Sequence, residues 1–174
     1  MFDPYDPTDE FETDGGDRSI SEITVGVDDV IQTNMRFFKE EGFEYEDPHA
    51  YTHLETRRKI KLDQGDRHDL SEILTSLLLD EPVAEQSALL MHALVGVHFF
   101  PDANHRTSMA TVRKLLDDNG ISGFDVSLHD FDERTEAARN ASKEERKKND
   151  VDMDNYYEKD SLYEVWRKYF EDVL

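Results

Sequence analysis

The chain has 174 residues, with 41 acidic against 20 basic side chains and a net charge of −21. That length bounds a single domain with short tails, and the absence of cysteine excludes disulfides, thiolate catalysis and Cys-based zinc sites. No apolar run approaches membrane-spanning length, and no global basic patch is present for DNA or RNA.

Residues 1–22 are rich in Asp, Glu, Gly and Pro and read as an acidic disordered tail. Asp28 or Asp29 caps a first helix to about Glu41, with Val30, Ile31, Met35, Phe37 and Phe38 inward and Gly42 as its stop. Asp47 followed by Pro48 starts a second helix over roughly His49 to Arg58. The alternation from Lys59 to Leu62 suits a short strand or flap, followed by a turn at residues 63–66. Asp69 is expected to cap a third helix carrying Leu70, Ile73, Leu74, Leu77 and Leu78 at helical spacing.

Glu81 and Pro82 open a fourth helix that runs to about Val97 and is apolar on most sides, which places it at the centre of a bundle. A loop from His98 to Ala103 leads into a fifth helix beginning at Asn104 and ended by Asn119 and Gly120. Ser127 is expected to cap a sixth helix containing Leu128, Phe131, Thr135 and Ala138. Residues 142–160 are charged and poor in apolar side chains, and read as a linker. Ser161 is expected to cap a last amphipathic helix over residues 161–174, with Leu162, Val165, Trp166, Tyr169, Phe170 and Val173 on one side. The fold class is therefore all-α, a helical bundle with at most one small flap or hairpin, whose main domain spans residues 23–141.

The loop at 98–107 concentrates chemistry. A helix N-terminus presents free N–H groups and a positive dipole end, which suit phosphate. Ala103 lets the backbone approach an anion, and Arg106 can fork onto phosphate oxygens. Asp102 is a hard oxygen ligand of the kind Mg²⁺ takes together with substrate phosphates. His98 titrates near neutrality and can accept a proton from an attacking hydroxyl. Singly, His98 is explained as a cap at a helix C-terminus, and Asp102 and Asn104 as caps at a helix N-terminus. Together they are what phosphoryl or nucleotidyl transfer needs, where positioning and charge neutralisation do most of the catalysis.

The order of these residues resembles the Fic/Doc signature, His-x-Phe-x-(Asp/Glu)-(Gly/Ala)-Asn-x-Arg, met here by His98, Phe100, Asp102, Ala103, Asn104 and Arg106. Ala103 and Thr107 are closer to the Doc form, Asp-Ala-Asn-Lys-Arg-Thr, than to the AMP-transferring Fic form. The resemblance implies His98 as general base, Asp102 as Mg²⁺ ligand, and Phe100 as a buried anchor. It also implies nucleotide contacts from Ala103, Asn104, His105 and Arg106, and ATP or another nucleotide as co-substrate. The protein substrate would present a Ser, Thr or Tyr hydroxyl and dock as an added strand on a flap within Arg57, Arg58, Lys59, Ile60, Lys61 and Leu62.

Two positions depart from Fic: His105 stands at its glycine and Met109 at its second arginine. Doc has lysine at the position of His105. No segment fits the Fic self-inhibitory pattern, so the resemblance implies control by a separate, Phd-like antitoxin. The leading expectation is a Doc-like toxin that moves a γ-phosphate to a protein hydroxyl, with a translation factor as the implied target. AMP transfer and a catalytically idle binding module are the alternatives.

The basic run from Arg57 to Lys61 reads either as a solvated helix end favoured by the dipole, or as a flap that meets phosphates or an acidic partner. The overall charge also has two readings. One is disorder. The other is a folded protein with a strongly acidic surface, either a cytoplasmic protein of a halophilic prokaryote, whose self-repulsion salt screens, or an acidic protein awaiting a basic partner. Apolar periodicity between residues 28 and 139 favours folding, and an acidic N-terminus without an apolar h-region is not a signal peptide.

Overall fold

The structure, a computed structural model, describes residues 18–39, 62–77 and 79–174. The expected second helix and residues 57–61 of the expected flap lie outside the described residues. Six helices lie within them: α1 (Val27–Lys39), α2 (Gln64–Thr75), α3 (Val83–Val97), α4 (Asn104–Asp118), α5 (Glu133–Lys148) and α6 (Ser161–Val173). No strand occurs among the described residues, and the protein is an all-α bundle. None of these helices is long and apolar enough to cross a membrane.

The central helix is α3. Every residue from Gln86 to Gly96 is buried, because α4 and α6 pack against it along most of its length and α2 adds a further flank. The apolar residues on all sides of this segment are the cause. On the far side of α4 lies α1, and α5 packs on α6. The face of α6 that meets the core carries Leu162, Tyr163, Trp166, Tyr169 and Phe170. Phe124 joins these rings, with its centroid 5.6 Å from that of Phe170. Each such fully buried large apolar side chain contributes about 1.5–3 kcal/mol.

Two polar side chains, Gln86 and Asn119, hydrogen-bond to a backbone segment far away in the chain. The Gln86 carboxamide accepts from Ile20 N at 2.6 Å and donates to Ile20 O at 3.0 Å, as a neighbouring strand would. Ile20 is consequently 0% exposed. Asn119 Oδ1 accepts from the N–H groups of Ser21 and Glu22 at 3.0 and 2.9 Å. Residues 18–22, expected as part of a disordered tail, are thus an extended segment laid against α3 and α4. Leu62, the last residue of the expected flap, is buried in the core.

The expected linker at 142–160 is corrected. Its first seven residues are the last two turns of α5, and the remainder is a compact connection. His92 on α3, with a fully buried side chain, holds that connection: Nδ1 meets Tyr156 O at 2.7 Å and Nε2 meets Asp160 Oδ2 at 3.0 Å. Val151 and Tyr156 are buried. Gly96 has a packing reason, because a Cβ there would lie 2.6 Å from both Cβ and Cγ1 of Val151.

α1 begins at Val27, so Asp28 and Asp29 stand inside its first turn instead of capping it. Three further helix starts differ from expectation, each by choice of cap. Asp63, not Asp69, caps α2 and accepts from Asp66 N at 2.8 Å, so the expected turn at 63–66 is the first turn of the helix. Asp132, not Ser127, caps α5 and accepts from Thr135 N at 2.7 Å. Asp160, not Ser161, caps α6. In each case an Asp side chain satisfies an orphan N–H group three residues on.

Candidate functional site

The loop between α3 and α4 is held by two backbone conformations that L residues seldom adopt. His98 closes α3 at φ 62°, ψ 59°, and Ala103 opens α4 at φ 59°, ψ 22°. They are the non-glycine residues with positive φ among the described residues. Such strain persists only where the surroundings over-determine it, and it collects at functional sites.

Asn104 supplies much of that constraint. Its side chain, 4% exposed, accepts from Phe100 N at 3.1 Å and donates to Phe100 O at 2.8 Å. The same amide nitrogen lies 3.3 Å from His98 Nε2. The amide is the donor in that contact, so His98 Nε2 is unprotonated in it. Phe100 is buried beneath the loop. Asn104, expected as a phosphate contact, therefore has its side chain committed to the loop, and what it can offer an anion is its backbone N–H at the helix start.

From α1, the buried Asn34 donates to Asp102 O and to Thr107 Oγ1, both at 3.0 Å, and so ties the loop to the first turn of α4. The Asp102 carboxylate accepts from Ala103 N at 2.5 Å. Among the described residues no three His, Asp or Glu side chains converge on a metal position. A Mg²⁺ ion at Asp102 would then take its other ligands from phosphates and water, the habit of that ion.

These residues form one wall of a cavity of about 390 Å³, lined from the loop side by His98, Asp102, Ala103, Asn104, His105 and Arg106. Comparison with protein-family models, with curated proteins and with solved structures returned no match for this chain. Its chemistry is read from the geometry alone.

The opposite wall is α5, which contributes Arg139, Lys143, Arg146 and Lys147. These cations were missed in the sequence. Their spacing of i, i+4, i+7 and i+8 is the signal that marks one helical face, but all except Arg139 sit in a segment whose low apolar content reads as linker. Asp102 and Glu144 are the acids of the lining, and Glu144 pairs with Lys147 at 2.8 Å. In a chain of net charge −21, this cavity carries more cations than anions. Low-dielectric walls lined by one sign of charge concentrate ions of the other.

His105 stands between the two walls. Its Nε2 meets Ser142 Oγ on α5 at 3.0 Å, and its ring lies 6.1 Å from that of Trp166. Burial lowers its pKa from 6.5 to about 3, helped by Arg139, Lys143, His98 and Arg146, so the ring is neutral at pH 7. The unfolded chain takes up this proton near pH 6.5 and the folded chain only near pH 3. Between those values the unfolded state binds more protons, so stability falls as pH falls. Relative to His105→Gln, the native chain is expected to lose about 2 kcal/mol more between pH 7 and pH 5. Urea unfolding at the two pH values measures it, and equal losses in the two proteins would mean that His105 is readily protonated in the fold.

Proposed function

We propose that this chain is a Fic/Doc-type enzyme of the Doc kind, which transfers the γ-phosphate of a nucleotide to a Ser, Thr or Tyr hydroxyl of a protein. The observation that carries the reading is the convergence of His98, Asp102, Arg106 and the α4 N-terminus on one cavity. A base, a hard oxygen ligand, a guanidinium and a helix dipole are the parts that phosphoryl transfer uses.

In the reaction, the target hydroxyl oxygen bonds to the γ-phosphorus and the bond from that phosphorus to the β–γ bridging oxygen breaks. The nucleoside diphosphate leaves, and the hydroxyl proton passes to His98. Taking the proton at Nε2 exchanges the 3.3 Å contact with Asn104 for the substrate hydroxyl. Arg106 and the first N–H groups of α4 hold the anionic oxygens in place. Mg²⁺, bound through Asp102, would neutralise phosphate charge.

Two residues favour γ-phosphate over AMP transfer. The ring of His105, pinned to Ser142, fills space that a glycine leaves open in the Fic form. Met109 is fully buried in the core, so position 109 supplies no cation to the cavity. Regulation by a Phd-like antitoxin and toxicity through a translation factor belong to the same reading, as does a cytoplasmic site of action.

The test is to incubate the protein and a cell extract with ATP labelled at the α or the γ position. Label retained on protein from γ alone is the expected result. Label retained from α, and lost in His98→Ala, would replace this reading with AMP transfer.

A further inference from the structure

Three residues on α5 face the active-site loop without belonging to it: Arg139, Lys143 and Arg146. They lie one helical turn apart on a single face. α5 buries only Thr135 and Ser142 among its side chains, so this face is not there to fill the core. Its cations also exceed the needs of the helix dipole, because Arg139 and Lys143 lie before the last turn. Arg139 is held by Glu136 at 3.2 Å. The Nε of Arg146 is buried and has no hydrogen-bond acceptor among the described residues. A buried guanidinium N–H without an acceptor is costly, and the same side chain lines the cavity. Burial lowers the pKa of Arg146, as expected of a cation without a counter-charge at that nitrogen.

We propose that Arg139, Lys143 and Arg146 form a distal anion site that binds the non-transferred phosphates of a nucleoside triphosphate, across the cavity from the loop. The proposal rests on the nucleotide-transfer reading for the identity of the ligand and goes beyond it in assigning the site to α5. The loop wall holds the phosphate at the attack point, and the α5 wall holds the chain of phosphates behind it. Position 109, a buried methionine, provides no second guanidinium, and α5 supplies that charge from the opposite side. Ligands should therefore be ranked by phosphate number, triphosphate above diphosphate above monophosphate.

The experiment is calorimetric titration of the full chain with inorganic tripolyphosphate, at fixed salt, with pyrophosphate and phosphate alongside. The combined variant Arg139→Gln, Lys143→Gln and Arg146→Gln is expected to weaken tripolyphosphate binding at least tenfold with an unchanged melting temperature. Lys148→Gln, on the same helix but outside the cavity lining and paired with Glu145 at 2.9 Å, controls for the loss of a single charge from α5 and is expected to bind normally. No detectable binding, equal binding by the combined variant, or equal weakening by Lys148→Gln would each overturn the site. Binding that follows the α5 variants while no label is transferred from ATP would leave the site standing and remove the enzymatic reading instead.

Discussion

Replacing His98 by alanine is expected to lower group transfer by about two to four decades, the range for loss of a general base, while the fold persists. The fold should persist because His98 is the cap that follows α3 rather than part of its packed length, and its contact with Asn104 is long at 3.3 Å. Alanine does carry one cost, since position 98 sits at φ 62°. Asn tolerates that conformation better than most residues, so His98→Asn separates backbone strain from lost chemistry. If both variants melt like the native chain and lose transfer, the imidazole is the base. Transfer at the native rate in a folded His98→Ala protein would remove His98 from the mechanism and favour an idle binding module.

Raising salt from 0.1 to 1 M is expected to raise the melting temperature by about 10 °C or more, equivalent to a few kcal/mol in a domain of this size. Two effects of salt oppose each other. Screening weakens the surface ion pairs, including Glu144–Lys147, Glu145–Lys148 and Arg167–Glu164, but exposed pairs contribute about 0–1 kcal/mol each. Screening also relieves repulsion among 41 acids facing 20 bases. The Debye length contracts from about 10 to about 3 Å over this range, so repulsion beyond nearest neighbours nearly vanishes. The repulsive sum is the larger, and stability rises. Differential scanning calorimetry across the salt series measures this. A flat or falling melting temperature would reject salt adaptation and point to a basic partner.

The elements legible in the sequence are those where burial and periodicity coincide. The course of α3 follows from apolar residues on most of its sides, and the start of α4 at Asn104 follows from the loop motif. The aromatic side chains of α6 were readable as core because Trp166, Tyr169 and Phe170 recur at helical spacing. Where structure depends on polar groups, the sequence was silent. Segment 18–22 is fixed by the side chains of Gln86 and Asn119, which lie far away in the chain. α5 is a helix with two buried side chains, so hydrophobic periodicity had almost nothing to report after Ala138. The loop wall of the cavity was legible for the same reason that α5 was not: its residues are consecutive, whereas the second wall exists only once α5 is folded beside α4.

Gly96 has a consequence for how the cavity can vary. His98 follows it by two residues, and Val151, which rests against it, follows the end of α5 by three. The two walls are therefore clamped at a point where one side is bare backbone, with no rotamer to take up slack. The gap between His98 and the α5 cations behaves like the jaw setting of a caliper, fixed by the chain path itself. Side chains on α5 can be exchanged to suit a different anion without moving the jaws, whereas any side chain at position 96 would open them.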